Sequence, residues 1–305
     1  MFSKGGDCSY NGKNISVVII TFNPKVEILK ENIINLLKSS IVIKVIIVDN
    51  GASKSLDELK SIPDVIIKHL GQNRGIATAQ NVGLRISQSL CSKYALLLDQ
   101  DSEIETDLVS KLLDGYITLE QKGIKLAAVG PRPFDLFENK KMKASIQRDI
   151  QIFEGFSLTK QIIASGKLIN LDVLDQVGFM EDDLFIDGVD HEWCWRAGRL
   201  GYKIAIIENA IMKHRLGDAR GNFLGFTYKI GSPIRLYYQF RNILVLSRRD
   251  YVPLYWKLRN LIGMFLKFII FSLKENDSKI RRYYMIKGFC SGLKKDKGII
   301  DKPFK

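Results

Sequence analysis

Two carboxylates one residue apart are the sharpest chemical signal in this sequence. Asp99 and Asp101 follow an apolar run that ends in Leu96–Leu98. Two carboxylates at the end of a buried strand are costly unless a partner compensates their charge. A divalent cation on oxygen ligands is such a partner, and Mg²⁺ or Mn²⁺ would link the pair to a diphosphate. The spacing therefore predicts a metal and phosphate site, although acidic residues also occur as solvated turn residues at ordinary strand exits.

The same Asp-x-Asp spacing has another chemical use, in phosphatases of the haloacid dehalogenase type. In those enzymes the first Asp is a nucleophile and follows the first parallel strand. Here three strand–helix units precede Asp99, which counts against this alternative.

A second acidic cluster contains Asp187, Asp190 and Glu192 and is interleaved with tryptophans. Asp190 falls at or just inside the start of a predicted helix, Gly188–Leu200, where a carboxylate is electrostatically favoured. Helix capping, with the tryptophans as helix core, would explain the same pattern. Aromatic faces beside carboxylates are also well suited to binding sugars, and this favours a functional interpretation of the cluster.

Two further features could belong to the same site. His214 is one of three histidines, and its neutral imidazole could complete a metal shell, although a lone His is more often structural. The turn Gly71–Gly75 precedes a helix that contains Asn81, and it either approaches phosphates or is an ordinary turn. Neither GxGxxG nor GxxxxGK[ST] occurs, so dinucleotide-dependent oxidoreductases and P-loop hydrolases lack their main signatures.

Alternating apolar runs and helical patterns must position these residues. Strands are predicted at Ile15–Phe22, Lys44–Asn50, Asp64–Leu70, Lys93–Asp101, Lys125–Pro131 and Lys203–Ile207. The helices between them are predicted at Pro24–Lys38, Leu56–Ser61, Ile76–Ser89 and Asp107–Lys122. Such βαβ units predict an α/β fold with a mostly parallel, Rossmann-like sheet flanked by helices. Ligands of such sheets bind outside the carboxyl ends of the strands, where the polar clusters lie.

Composition narrows the class of protein. The 305 residues are 46% hydrophobic and 26% charged, which excludes a disordered chain. Four scattered cysteines without a CxxC pair suit a reducing cytosol, and the polar N-terminus predicts no secretory signal. The net charge is +13, but residues 235–305 hold 17 Lys/Arg against 5 Asp/Glu. The charge is therefore concentrated at one end rather than spread over a face, and no nucleic-acid partner is expected.

The basic end of the chain is predicted to be helical at Pro233–Ser247 and Pro253–Leu273. Its longest uncharged stretch, Asn260–Leu266, is far shorter than the roughly 20 residues that span a bilayer. A basic, aromatic, amphipathic helix can lie in the membrane interface instead. The alternative is that these helices pack on the body of the protein with their basic side chains in water.

In their order along the chain, these motifs resemble the family-two glycosyltransferases of the GT-A fold, and most closely the bacterial dTDP-rhamnosyltransferases that build surface polysaccharides. Seven motifs carry the resemblance: VVIITFN (Val17–Asn23), IIVDNG (Ile46–Gly51), NRGIATAQNVG (Asn73–Gly83), LLLDQDS (Leu96–Ser102), ASGKLI (Ala164–Ile169), FIDGVDHEWCWRAGRLGY (Phe185–Tyr202) and His214.

The resemblance implies a role for particular residues. The nucleotide-sugar site would comprise Thr21, Asn23, Asp49, Asn73, Gly75, Asn81 and Asp99, with Asp49 accepting a hydrogen bond from the base. The metal ligands would be Asp99, Asp101 and His214. Asp190 would be the general base, while Ser165, Gly166, Glu192 and Trp193 would bind the acceptor.

The implied reaction is an inverting transfer of a sugar, with L-rhamnose from dTDP-L-rhamnose favoured over a UDP-hexose or UDP-galactofuranose donor. The acceptor would be a saccharide, lipid-linked, in O-antigen or other cell-surface polysaccharide synthesis.

The sequence departs from the family pattern at two points. Gln80 replaces the Arg that usually precedes the Asn of the helix motif, and the QxxRW motif of processive synthases is absent.

The expected organisation is a polar extension at 1–14, a GT-A catalytic domain at 15–230 and a basic helical region at 231–305. Within the catalytic domain, 15–131 would bind the nucleotide-sugar and 132–230 the acceptor. The protein would sit peripherally on the cytoplasmic face of the cell membrane, attracted by anionic lipids. Two other classes stay open, a sugar-phosphate nucleotidyltransferase and a non-enzymatic basic adaptor.

Overall fold

The computed structural model describes residues 14–135, 140–141, 150–214, 219–223, 226–273, 277–301 and 303. The strands are β1 (Ile15–Thr21), β2 (Val42–Asp49), β3 (Val65–His69), β4 (Tyr94–Asp99), β5 (Leu126–Asp135), β6 (Lys140–Lys141), β7 (Ile150–Phe153), β8 (Phe156–Thr159), β9 (Lys167–Asn170), β10 (Lys203–His214), β11 (Ala219–Phe223) and β12 (Phe226–Ile230). The helices are α1 (Val26–Leu37), α2 (Ile76–Ser89), α3 (Leu108–Gln121), α4 (Leu174–Val177), α5 (Val189–Arg199), α6 (Pro233–Ser247), α7 (Leu254–Leu273) and α8 (Ser278–Lys294).

The amino-terminal half is a parallel sheet, as the strand–helix alternation predicts. Its strand order is β3-β2-β1-β4, and all three pairings within it are parallel. All seven residues of β1 are buried because helices cover both faces of the sheet. The carboxyl ends of β1, β2 and β4 therefore meet at one edge, and Thr21 lies directly opposite Asp49.

The second half departs from a simple parallel sheet. The short strand β9 inserts between β4 and β5 and runs antiparallel to both. β10 then pairs in parallel with β5, and β8 adds antiparallel to its other edge. β9 is only four residues long and has no alternating pattern to reveal it. Its consequence is that the segment before it, Ala164–Gly166, lies against the end of β4.

The carboxy-terminal helices pack on the body rather than forming a separate unit. α6 places Leu236, Tyr237 and Phe240 in the same hydrophobic cluster as Val18 and Ile46 of the sheet. The polar side chains of Arg241 and Asn242 are also buried, at 1% and 2% exposure. The predicted boundary at residue 230 thus lies inside one continuous core.

α7 and α8 nevertheless leave an apolar face uncovered. α7 buries Trp256, Met264 and Phe271 on one side. Its opposite side exposes Leu254, Leu258, Ile262, Phe265, Leu266 and Leu273, and α8 adds Ile286, Phe289 and Leu293. These nine side chains are named the α7–α8 apolar face. Within the described part of the chain, no helix is long and apolar enough to cross a membrane.

Candidate functional site

The Asp99–Asp101 turn is held from below by two serines. The backbone N–H of Asp99 donates to Ser102 Oγ at 3.2 Å and to Ser165 Oγ at 3.4 Å. The two hydroxyl oxygens are 2.6 Å apart and both residues are buried. The turn that carries Asp99 and Asp101 at the end of β4 is therefore fixed in part by the loop that precedes β9.

This support corrects the prediction that Ser165 and Gly166 form an acceptor wall. Ser165 is 1% exposed and is used by Asp99 and Ser102. Gly166 is also buried, and a Cβ there would stand 2.6 Å from Pro131 Cγ. Ser165 therefore positions the Asp99 turn, and Gly166 packs against Pro131; both are buried instead of facing an acceptor.

Asp99 interacts electrostatically with Asp190. Burial first, and then the charges of Asp101 and Asp190, raise the pKa of Asp99 to about 7, while the charge of Arg235 opposes the rise. Carboxylates from β4 and from the first turn of α5 are thus close enough to repel one another. They are about 90 residues apart in sequence, and only the fold makes them neighbours.

Asp190 has the opposite electrostatic setting. Burial alone would raise its pKa, but the charges of His191 and Lys167 and a 3.0 Å hydrogen bond from the His191 N–H lower it overall. The Lys167 ammonium lies beneath and donates to the Asp190 carbonyl oxygen at 3.1 Å. The environment therefore keeps Asp190 ionised near neutral pH, as a general base requires.

The donor atoms near Asp99 fit a divalent cation. Mg²⁺ is commonly bound by one or two carboxylates together with substrate phosphates, and Asp99 and Asp101 supply that number. The raised pKa of Asp99 arises from burial and from the charges of Asp101 and Asp190, a concentration of negative charge that a bound cation would offset. Within the described residues no cluster of three or more His, Cys, Asp or Glu forms a protein-only metal cage. The backbone of His214 ends β10, but its side chain lies outside the described atoms.

The ends of β1 and β2 form the predicted nucleotide side. Thr21 is buried, and its hydroxyl has no hydrogen-bond partner in the described part of the chain. Asn23 is exposed with φ of 49°. Gln100 accepts a hydrogen bond from the Phe22 N–H at 2.7 Å, which connects this loop to the Asp99 turn. Phe22 lies beside Gly51 and is 48% exposed. The sequence did not point to Phe22 as a site residue.

Asp49 is more enclosed than predicted. It is fully buried, and its carboxylate accepts hydrogen bonds from the N–H groups of Gly51 at 3.1 Å and Ser53 at 2.8 Å. His69 Nδ1 lies 2.9 Å from its Oδ2. In this conformation Asp49 holds the loop after β2 through hydrogen bonds. Its contact with a base stays a prediction, and that contact would require His69 to move.

The structure corrects part of the prediction for the turn before α2. Asn73 is exposed, and its side-chain oxygen accepts from the Gly75 N–H and the Asn50 amide at 3.0 and 3.1 Å. Gly75, with φ of 87°, is pressed against Phe185, where a Cβ would stand 2.6 Å from the ring. Gly75 therefore docks the loop before α5 instead of approaching phosphates.

The structure also corrects the prediction that Asn81 belongs to the nucleotide-sugar site. Its amide donates at 2.9 Å to both the Met180 carbonyl and Asp182 Oδ1, and its oxygen accepts from the Met180 N–H. All its polar groups are occupied and the residue is buried, so it does not line the donor site.

Glu192 and Trp193 do not contact an acceptor either, because both have no exposed surface. Glu192 pairs with Arg196 at 2.8 Å and accepts from the Tyr251 hydroxyl at 2.7 Å. Trp193 donates from its indole nitrogen to the Gly178 carbonyl at 2.9 Å. These two residues hold α5 in place, which is the helix-core alternative weighed from the sequence.

Two residues that sequence reasoning missed lie beside the carboxylates. Lys167 is fully buried under Asp190, and Arg235 of α6 interacts electrostatically with Asp99, Asp187 and Asp190. A signal existed for Arg235, because a cation in the first turn of a helix is electrostatically unfavourable without an acidic partner.

The parallel sheet with paired carboxylates at its edge and a further carboxylate on α5 matches the architecture expected of the GT-A fold. Solved structures support this fold. GalNAc-T7 with UDP, GalNAc and Mn²⁺ aligns with a TM-score of 0.61 at 13% identity, covering 93% of this chain and 56% of that one. S. aureus TarS 1–349 in complex with UDP-GlcNAc aligns at 0.57 with 15% identity, covering 92% and 81%.

The sequence comparisons are more specific. Glycosyl transferase family 2 matches residues 16–178. The dTDP-rhamnosyl transferase RfbF of Shigella flexneri is 34% identical over 258 residues, covering 82% of this chain and 85% of the relative. The low-salt glycan biosynthesis hexosyltransferase Agl10 of Haloferax volcanii is 22% identical, covering 77% and 75%. The chain belongs to glycosyl transferase family 2, as its motifs predicted, and is a glycosyltransferase.

Proposed function

We propose that this enzyme transfers L-rhamnose from dTDP-L-rhamnose to a saccharide acceptor with inversion of the anomeric centre. The observation that supports the proposal is the electrostatic interaction of Asp99 with both Asp101 and Asp190. The choice of donor is supported by the 34% identity to a dTDP-rhamnosyl transferase over most of both chains.

The donor side of the site is proposed to run from Thr21 to the Asp99 turn. The buried Thr21 hydroxyl has no hydrogen-bond partner among the described residues, so a bond to a bound nucleotide would favour binding because an unmade buried hydrogen bond is costly. Asn23 and Asn73 are exposed toward solvent and available for the same ligand.

Asp99 and Asp101 would hold Mg²⁺ or Mn²⁺, with His214 as a further predicted ligand. When bound, the cation would act as a Lewis acid that neutralises charge on the departing nucleoside diphosphate. The protein's contribution is to fix the two carboxylates through Ser102 and Ser165.

Asp190 is proposed to accept the proton of the attacking acceptor hydroxyl. Its lowered pKa provides the ionised carboxylate, and Lys167 and His191 supply the balancing positive charge. The hydroxyl oxygen attacks the anomeric carbon as the bond to the diphosphate oxygen breaks, so a single displacement inverts the centre. General-base assistance of this kind contributes about 10²- to 10⁴-fold to the rate.

The acceptor is proposed to be lipid-linked, in cell-surface polysaccharide or O-antigen synthesis, with the protein held peripherally on the cytoplasmic face of the membrane. The α7–α8 apolar face supports this proposal because nine exposed apolar side chains lie on two adjacent helices. The surrounding region carries 17 Lys/Arg against 5 Asp/Glu, which suits anionic lipid.

The donor assignment is tested by a panel of nucleotide-sugars with Mg²⁺ or Mn²⁺, measured by release of nucleoside diphosphate. Turnover should be greatest with dTDP-L-rhamnose. Preference for a UDP-hexose or UDP-galactofuranose would replace the donor but keep the reaction class. Failure of every nucleotide-sugar, together with nucleotide transfer to a sugar phosphate, would overturn the proposal.

A further inference from the structure

Arg235 and Asp187 form a two-pronged ion pair at the edge of the carboxylate cluster. Arg235 Nε donates to Asp187 Oδ2 at 2.9 Å, and Nη2 donates to Oδ1 at 2.9 Å. The Arg235 side chain is 50% exposed, whereas that of Asp187 is 19% exposed. One edge of the planar guanidinium group is therefore occupied by a carboxylate, while much of the side chain remains in contact with solvent.

The loop that carries Asp187 is anchored independently of this ion pair. The buried amide of Asn242 donates to the carbonyl oxygens of Leu184, Ile186 and Asp187 at 2.9, 2.6 and 2.9 Å. Because α6 holds the loop backbone in this way, Arg235 can change partner by side-chain rotation alone. The loop would not have to unfold.

The position of Arg235 is electrostatically unusual. It lies two residues after Pro233, in the first turn of α6, where a positive charge is disfavoured by the helix dipole. It is compensated by Asp187 and, at longer range, by Asp190 and Asp99. A cation placed against a helix dipole and beside the predicted metal carboxylates indicates a role toward an anionic ligand.

We propose that Arg235 binds the diphosphate of the nucleotide-sugar donor, and that Asp187 holds its guanidinium group in competition with that diphosphate. This inference rests on the proposed function, since it presumes a nucleoside diphosphate in the site. The guanidinium fork that now binds two carboxylate oxygens matches two phosphate oxygens equally well. A diphosphate is the anion expected there, because Asp99 interacts electrostatically with Arg235 and lies on the turn proposed to hold the phosphates through the metal.

The test is direct binding of dTDP and dTMP in the presence of Mg²⁺, measured by calorimetry on the full chain. Arg235→Met should weaken dTDP binding about 10- to 100-fold, the range for loss of hydrogen bonds to a charged group. It should leave dTMP binding within about twofold. Asp187→Asn should tighten dTDP binding about two- to fivefold, because it releases the guanidinium group.

The Asp187→Asn change is suited to this test because Asp187 has φ of 62°, a backbone conformation that Asn adopts readily. Arg199→Met is the matched control, since Arg199 forms an exposed 2.8 Å ion pair with Asp250 away from the carboxylates, and it should change nothing. In the Arg235→Met background, Asp187→Asn should no longer tighten binding.

The possible outcomes distinguish a failure of the role proposed for Arg235 from a failure of the proposed function. Equal dTDP affinity in wild type and Arg235→Met overturns the role of Arg235. Tightening by Asp187→Asn that persists without Arg235 overturns the competition and indicates simple relief of charge repulsion. A wild-type protein that binds neither dTDP nor UDP counts against the proposed function itself.

Discussion

The Lys167 ammonium donates a hydrogen bond to the backbone carbonyl of Asp190 at 3.1 Å, and Lys167 is fully buried. Its Nζ also lies 5.5 Å from the centre of the Trp193 ring. A buried cation so close to the proposed base stabilises the ionised carboxylate. Lys167 is thus a positioning residue, and its effect should appear in the pH dependence of the reaction.

Lys167→Met should raise the pKa of Asp190, because it removes one of the charges that lower it while keeping a long side chain. Since the base must be ionised, the acid limb of the kcat/KM profile should move to higher pH, with the largest loss of activity at low pH. Lys203→Met, at an exposed position, is the control. A lower Tm with an unchanged pH profile would show a structural role only.

Asp190→Asn should lower kcat by about 10²- to 10⁴-fold, because the amide cannot accept the acceptor's proton. The amide oxygen can still accept the hydrogen bond from the His191 N–H, so the fold should persist. Affinity for dTDP should stay within about threefold of wild type. Asp114→Asn on the exposed side of α3 serves as the comparison, and near-wild-type turnover by Asp190→Asn would remove Asp190 from the mechanism.

Asp101→Asn should weaken the dependence on divalent cation that Asp99 and Asp101 are proposed to create. Chelation of wild type with EDTA should abolish turnover, and added Mn²⁺ or Mg²⁺ should restore it. The variant should need at least about tenfold more metal, because one charged ligand is lost. Asp107→Asn, whose carboxylate pairs with Lys111 at 2.7 Å, is the matched control. Full activity of wild type in EDTA would contradict the metal assignment.

His69 should make stability depend on pH. Its hydrogen bonds to Asp49 and then Asp57 raise its pKa above the ordinary value of 6.5. The stabilisation is therefore complete below about pH 6.5 and is lost as pH rises through the raised pKa.

The variant His69→Gln should lower the free energy of unfolding by about 0.5–1 kcal/mol at pH 5.5, and by less at pH 9, as expected of a partly solvated ion pair. Urea titrations at the two pH values measure this difference. Asp57→Asn should remove part of the same effect, since Asp57 Oδ1 lies 3.0 Å from His69 Nε2. An equal loss at both pH values would mean that the charge of His69 contributes nothing.

The α7–α8 apolar face should bind lipid through side chains that the fold does not need. Ile262→Ser combined with Phe265→Ser should reduce sedimentation with phosphatidylglycerol-containing vesicles by at least about fivefold, because two apolar side chains leave the bilayer. Ile28→Ser with Ile34→Ser on α1 is the control, since both residues are similarly exposed. Equal binding by the two double variants would refute the membrane assignment.

The local elements were largely determined by sequence. α2 and α6 begin and end at the predicted residues, because their apolar spacing and flanking Gly75 and Pro233 are local signals. The four parallel strands β1 to β4 were predicted to within a few residues for the same reason. α8 was not predicted, since its apolar residues do not fall on one face.

The resemblance implied that Asp99 and Asp190 share one site, and the structure shows an electrostatic interaction between them. What the sequence could not determine was the direction of each side chain. Successive residues of a helix turn by about 100°, so Glu192 and Trp193 point into the core although Asp190 faces the site. One short motif therefore contains both the proposed base, Asp190, and two residues that only hold α5 against the core.

Sequence by itself determined the strands, most of the helices and the acidic residues that could do chemistry. Only the tertiary structure decided that β9 would bring Ser165 beneath Asp99, that Lys167 would lie under Asp190, and that α6 would carry Arg235 to the same place. The reason is physical. Periodicity and capping act over a few residues, whereas burial, charge pairing and hydrogen bonding depend on which distant segments the chain packs together.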